Sequence, residues 1–223
     1  MGAQPRSTGR TDEAALDPRV VRSRAAIVTA ALEHFLRNGY LGANVDDIAA
    51  AARVSKRTVY NIFGGKEQLF REIMADAFAV AEQFANDLTR TLADTDDVAA
   101  ELRAIAGGLL RAVLSDRVLR LRRLLIGEAE RFPELAREYY ERAPGRVMGA
   151  LTEAMDRLGR RGLLTIDDPR LAAEHFAYLV LGAPLDRALL VSAEHVTPEV
   201  EEQALAGVDV FLRAYAPRRQ RRR

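Results

Sequence analysis

The sequence predicts an all-α fold: a small N-terminal bundle of three helices, then a larger helical body, nine or ten helices in total. Three observations carry that prediction. Apolar residues recur at three- and four-residue spacing from Pro18 onward, with no run of alternating β-branched residues. Cap and stop signals at Asn44, Ser55, Gly64-Gly65, Asp168-Pro169 and Thr197-Pro198 cut the pattern into segments. Of the 223 residues, 48% are hydrophobic, enough to fill a core in one large domain or two small ones.

The elements follow in order. Residues 1–17 are small, polar and aperiodic, and predict a disordered tail. The first helix is expected from Pro18 to Asn38, with Ile27, Ala31 and Phe35 on one face and Gly39 ending it in the left-handed conformation. Asn44 caps a short helix carrying Val45, Ile48, Ala49 and Ala52, with Asp47 as its capping-box partner. A turn at Arg53 and Val54 leads to Ser55, the cap of a helix from Lys56 to Phe63. A long amphipathic helix then runs from Lys66 to about Leu92. Thr95 caps the next, from about Asp96 to Leu114, and Ser115 caps another that ends near Arg131. Pro133 starts a helix that Pro144-Gly145 breaks before it resumes to Arg160. Residues 162–167 form a loop. The last two helices span about 169–191, with a kink at Pro184, and 197–215. The organisation is therefore a three-helix domain over 18–65, a larger helical domain over 66–216 and an Arg-rich disordered tail over 217–223.

Composition excludes several chemistries. Cysteine is absent, which removes disulfides and thiolate metal sites. No apolar run approaches the ~18 residues of a membrane span, and residues 1–10 lack the apolar core of a secretory signal. A cytoplasmic protein without a membrane partner is expected. His34, His175 and His195 are the only histidines, and the adjacent Glu174 and His175 diverge on a helix. There is no HExxH, paired-carboxylate or Gly-rich phosphate motif, so neither a catalytic residue, a metal nor a cofactor is expected.

Charge is more informative in its distribution than in its sum. The net charge is +1, yet residues 1–66 hold 10 basic and 6 acidic side chains, and residues 67–212 hold 17 and 26. The last 11 residues carry 6 arginines and no acid. A basic N-terminal module on an acidic body is a nucleic-acid footprint. The two lysines of the chain, Lys56 and Lys66, both lie in that module.

Two short helices joined by a tight turn, after a longer helix, have helix-turn-helix proportions. The second would expose Ser55, Lys56, Arg57, Thr58, Tyr60 and Asn61, with Val59 and Phe63 turned inward. Such side chains reach base edges and phosphates. Lys66 opens the long helix, where free N–H groups already favour an anion. A helical subdomain with a merely solvated polar face would carry the same pattern.

The run "VDDIAAAARVSKRTVYNIFGGKEQLF" (Val45 to Phe70) resembles the DNA-binding signature of the TetR family. The preceding "AAIVTAALEHFLRNGYLGANV" (Ala25 to Val45) is similar to that family's first helix and glycine-aromatic turn. The resemblance implies a helical DNA-binding domain joined to a ligand-binding and dimerisation domain. It also implies that Thr58, Tyr60 and Lys66 take phosphate-contacting positions, and that Ser55, Lys56 and Arg57 start the recognition helix. Asn44 stands where the family places a Thr or Ser cap that touches phosphate. Ile62 departs from the pattern, standing where many members carry a histidine. The segments Glu130 to Val147 and Leu163 to Leu190 look like one C-terminal subgroup, whose members often govern efflux or lipid-related genes.

The last two helices are expected to form the homodimer interface through Tyr178, Leu181, Leu185, Leu205, Val208 and Leu212. The first is apolar almost all round its middle and so must bury two faces. Phe78, Phe84, Leu109, Phe132, Tyr140, Met148 and Phe176 are the candidate ligand-binding residues. Gly107-Gly108 inside a helix leaves room for a ligand or for close helix packing. The expected function is a dimeric, one-component repressor, bound to a palindromic operator on double-stranded DNA in the nucleoid and released by a small hydrophobic inducer. The alternative is a DNA-binding activator or global regulator without an inducer.

Overall fold

The computed structural model describes residues 17–91, 97–191 and 196–217. Ten helices and no strand are found among them. The N-terminal group is α1 (Pro18–Gly42), α2 (Val45–Ala51) and α3 (Lys56–Phe63). The body is α4 (Lys66–Thr91), α5 (Val98–Val113), α6 (Asp116–Glu128), α7 (Pro133–Arg142), α8 (Pro144–Arg160), α9 (Pro169–Leu190) and α10 (Pro198–Tyr215). Among these residues no helix is long and apolar enough to cross a membrane. The expected tails at 1–16 and 218–223, the Thr95 cap and His195 lie outside the described residues.

Local chemistry explains most of the boundaries. Asp17 belongs to the fold rather than to a tail, because its carboxylate accepts from the Arg19 N–H at 2.8 Å and caps α1. Gly39 has the expected positive φ (67°), but its ψ of 176° is far from left-handed helix. The chain therefore bends there and completes one more turn to Gly42 instead of stopping. Asn44 Oδ1 accepts from the Asp47 N–H at 2.8 Å. Asp47 answers through the Asn44 side-chain amide at 2.5 Å, not through the backbone of a standard capping box.

The turn after α2 is a Schellman motif. Val54 N–H donates to Ala49 O at 3.0 Å and Arg53 N–H to Ala50 O at 3.1 Å. Arg53 takes the left-handed position (φ 56°) that glycine usually fills. Ser55 Oγ then accepts from the Thr58 N–H at 3.1 Å and starts α3. Gly64, left-handed at φ 76°, closes it.

Further along, Asp97 caps α5 by accepting from the Ala100 N–H at 2.9 Å. Ser115 precedes α6 but does not cap it, since its hydroxyl donates back to Ala112 O at 3.1 Å. The break at Pro144-Gly145 is present. A Cβ on Gly145 would sit 3.0 Å from Tyr140 O, so the corner between α7 and α8 favours glycine. Pro184 lies inside α9 without ending it. The end of α9 is closed by Arg123, whose guanidinium donates to Ala188 O at 2.5 Å and Leu189 O at 2.9 Å.

Two buried clusters share α4. The first joins Ile27, Phe35, Ile48, Val59 and Phe63 to Leu69, Phe70, Ile73, Met74 and Phe78 of α4. It continues into Leu121 and Leu125 of α6, Phe132, and Leu135 and Tyr139 of α7. The second joins Ala85 and Leu88 of α4 to α5, α8, α9 and α10. The buried side chains therefore divide between the two clusters within α4, and α6 and α7 pack under the N-terminal helices. Gly207 marks the tightest crossing: a Cβ there would meet Leu179 O at 2.4 Å, so α10 lies backbone against backbone on α9.

Candidate nucleic-acid interface and cavity

Helix α3 is held by one face and open on the other. Val59 and Phe63 are buried and Ile62 partly so, which fixes the roll of the helix. Ser55, Lys56, Arg57, Tyr60 and Asn61 are exposed, and Thr58 half so. Thr58 Oγ1 lies 2.8 Å from Ser55 Oγ, so these hydroxyls order one another. Arg57 makes no hydrogen bond or ion pair with a described residue and is free to reach a base edge. Arg24 steadies the helix from α1: its guanidinium lies 5.0 Å from the Phe63 ring centroid and pairs with Glu72 of α4.

The two lysines are both engaged. Lys56 Nζ pairs with Asp46 of α2 at 3.0 Å. That hydrogen bond, then the charge behind it, pushes the Lys56 ammonium above its ordinary range. Lys66 Nζ donates to Tyr40 O and Ala43 O, each at 2.9 Å, and lies 4.4 Å from the Tyr40 ring centroid. It thus closes the carbonyls at the end of α1 and leaves one of its three donors for an anion. Asn44, exposed beside this turn, completes the expected set. Sequence reasoning had no means to find the Tyr40 and Ala43 carbonyls, which lie 26 and 23 positions away.

Helix α6 reaches this turn from below. Tyr40 N–H donates to Glu128 Oε1 at 3.3 Å, and Glu128 pairs with Arg131 at 3.0 Å. The Tyr40 ring meets Phe132 at 4.7 Å and Phe70 at 5.2 Å between centroids. Burial, then the charge of Glu67, raises the Tyr40 hydroxyl above its ordinary range.

Behind α6 lies a cavity of about 740 Å³ between α4, α5, α6, α7, α8 and α9. That is the size of a drug-sized ligand site. Phe84, Leu109, Tyr140 and Met148 line it, as the sequence suggested. Phe78, Phe132 and Phe176 do not. Phe78 is buried beneath the Arg142 guanidinium, Phe132 joins the cluster around Tyr40, and Phe176 packs edge-on against Phe211. Each is a large apolar side chain on a buried stripe, which periodicity alone cannot distinguish from a cavity wall. The wall also holds Arg122, which sequence reasoning missed, and Tyr178, which it assigned to the dimer interface. Gly108 allows the Phe84 ring to approach: an added Cβ would lie 3.2 Å from it.

The expected dimer residues separate into three groups. Tyr178 and Leu205 are exposed on α9 and α10. Leu181 and Leu185 are half-buried in the cavity wall, and Leu212 is half-buried against its own core. Val208 is fully buried within its own chain and offers no surface to a partner. Leu171, Leu179 and Val210 are exposed apolar side chains on the same two helices. Of the histidines, His175 Nδ1 lies 2.7 Å from the Tyr215 hydroxyl, and His34 Nδ1 is buried without a partner.

Residues 27–73 match the family model described as bacterial regulatory proteins, tetR family. Residues 100–217 match that of the AefR-like transcriptional repressor, C-terminal domain. Over 149 residues the chain is 31% identical to the HTH-type transcriptional repressor SCO4008 of Streptomyces coelicolor, covering 64% of this chain and 73% of that protein. A solved TetR-family transcriptional regulator from Mesorhizobium loti has a TM-score of 0.80 at 32% identity, over 90% of this chain and 100% of that one. The flavonoid-responsive regulator FrrA has a TM-score of 0.67 at 32% identity, over 89% and 99%. The N-terminal match spans α2, its turn and α3, and the C-terminal match takes in most of the cavity wall. The chain belongs to the TetR family of helix-turn-helix transcriptional regulators.

Proposed function

We propose that this protein is a dimeric repressor that binds a two-fold symmetric operator and releases it when a small molecule fills the cavity behind α6. The observation that carries the reading is the position of α6. One face of this helix lines the cavity, and its last turn holds the Tyr40 backbone beside the DNA-facing module. The likeness to a flavonoid-responsive regulator supports a small-molecule inducer.

In this reading α3 enters the major groove. Ser55, Lys56, Arg57 and Asn61 face base edges, while Asn44, Thr58, Tyr60 and Lys66 contact phosphates. Two protomers joined through α9 and α10 place their recognition helices about one DNA turn, roughly 34 Å, apart or a multiple of it. A ligand that wedges α6 away from α8 and α9 shifts Glu128 and Phe132, and with them the turn at Tyr40. A coupling of about 1–3 kcal/mol gives a 5- to 150-fold loss of operator affinity.

The test begins with selection of operators from a random duplex library, followed by light scattering of the complex. Two protomers on one palindromic site are expected. One protomer on an asymmetric site would reject the dimeric reading.

A further inference from the structure

We infer that the cavity takes an amphipathic anion, and that Arg122 is the residue that recognises its charge. The inference rests on reading this cavity as the ligand site.

Arg122 lies four residues after Val118 and three before Leu125, on the inward stripe of α6. It lines the cavity, and its Nη1 is shut off from solvent without a hydrogen-bond partner. It makes no ion pair with a described residue. A guanidinium is a planar, positively charged fork of five donors with no acceptor. The other ionised groups on the wall do not balance it. Arg170 and Glu174 pair with each other at 3.1 Å, with 82% and 40% of their side chains exposed. Asp186 is exposed. Arg122 is therefore a half-buried charge without an ion-pair partner among the described residues, on an otherwise mostly apolar wall.

A half-buried cation without an ion-pair partner gains from a ligand that supplies an anion, because the attraction is screened less there than at an exposed site. The fork of the guanidinium suits the paired oxygens of a carboxylate or sulfonate. A neutral hydrophobe would leave the guanidinium without a counter-charge, and a cation would be repelled. Phe84, Leu109, Val113, Met148, Leu151 and Leu181 supply the apolar wall for the ligand's body. The charge site also lies on the helix that touches the DNA-facing module. Glu128 follows six residues later, about 9 Å along the helix axis.

The probes are 1-anilinonaphthalene-8-sulfonate and N-phenyl-1-naphthylamine, which differ by the sulfonate alone. Both are titrated by fluorescence against the full chain and against Arg122→Gln and Arg122→Lys. In the wild type the sulfonate should bind at least about tenfold more tightly than the neutral amine, the scale of one charge-assisted bond. Arg122→Gln should bring the two within about twofold, and Arg122→Lys should retain part of the preference. Equal binding of the two probes by the wild type, or no binding of either, overturns the inference without any variant. So does unchanged sulfonate affinity in Arg122→Gln. The same titrations are repeated on the operator complex. Sulfonate binding through Arg122 without release of DNA would leave the charge preference standing and sink the release reading. Release by the neutral amine alone would do the reverse.

Discussion

The backbone N–H of Tyr40 donates to the Glu128 carboxylate at 3.3 Å, across 88 positions of sequence. The bond ties the bend at Gly39 to the last turn of α6, and so ties the DNA-facing module to a helix of the cavity wall. Glu128→Ala removes it and leaves a half-buried N–H unpartnered, a loss of about 1–3 kcal/mol. Its sharper signature is functional. Operator affinity without ligand should stay within a few fold, while the ligand's effect on that affinity should shrink. Paired titrations with and without ligand measure the difference.

Lys66 is bonded within the fold, and the proposed function gives it a phosphate contact as well. Lys66→Met leaves the Tyr40 and Ala43 carbonyls without their donor and should destabilise the fold by about 1–3 kcal/mol. Thermal unfolding reports that loss. Operator affinity should also fall alike for all sequences, because phosphate contacts carry little base information. A changed base preference at unchanged affinity would refute the role assigned to Lys66.

Asp46 pairs with Lys56 at 3.0 Å and, in the proposed function, competes with DNA for it. Asp46→Asn frees the lysine and removes a carboxylate from the docking face, so operator affinity should rise and its salt dependence steepen. The pair also has a pH signature. The folded state raises the Lys56 pKa, chiefly through the Asp46 hydrogen bond. Its contribution to stability is thus full below the unfolded lysine value and lost as pH rises through the higher folded value. Unfolding curves across the alkaline range should show this loss in the wild type and not in Asp46→Asn.

Gly207 is where α9 and α10 meet backbone to backbone. A Cβ there would lie 2.4 Å from Leu179 O, so Gly207→Ala must spread the two helices. Overpacking of this kind costs about 1–3 kcal/mol. Denaturant unfolding should show a lower midpoint. A midpoint equal to that of the wild type would mean that α10 does not pack as described.

What was legible in the sequence was local. Asn44, Ser55 and Gly64 act on backbone groups one to four residues away, and the ends of α2 and α3 fall where those signals place them. Gly39 shows the limit. Its sequence suits a stop, but the chain bends and continues, held there by Glu128, Phe132 and Lys66 from distant parts of the sequence. The cavity was half legible for a related reason. Phe84 and Phe78 share α4, and packing alone decides that one lines the cavity and the other supports Tyr139. Arg122 did carry a signal, a charge placed on an apolar stripe between Val118 and Leu125.

The central claim is that the open face of α3 reads DNA bases while its flanks hold the backbone. Operator selection from one random duplex library, run in parallel on the wild type, Arg57→Ala and Tyr60→Phe, tests it most directly. Arg57→Ala should lose base preference at one symmetric pair of positions, with a loss of about 1–3 kcal/mol in discrimination there. Tyr60→Phe should select the wild-type motif with weaker affinity throughout. If both variants select the wild-type motif with wild-type affinity, α3 is not the reading element.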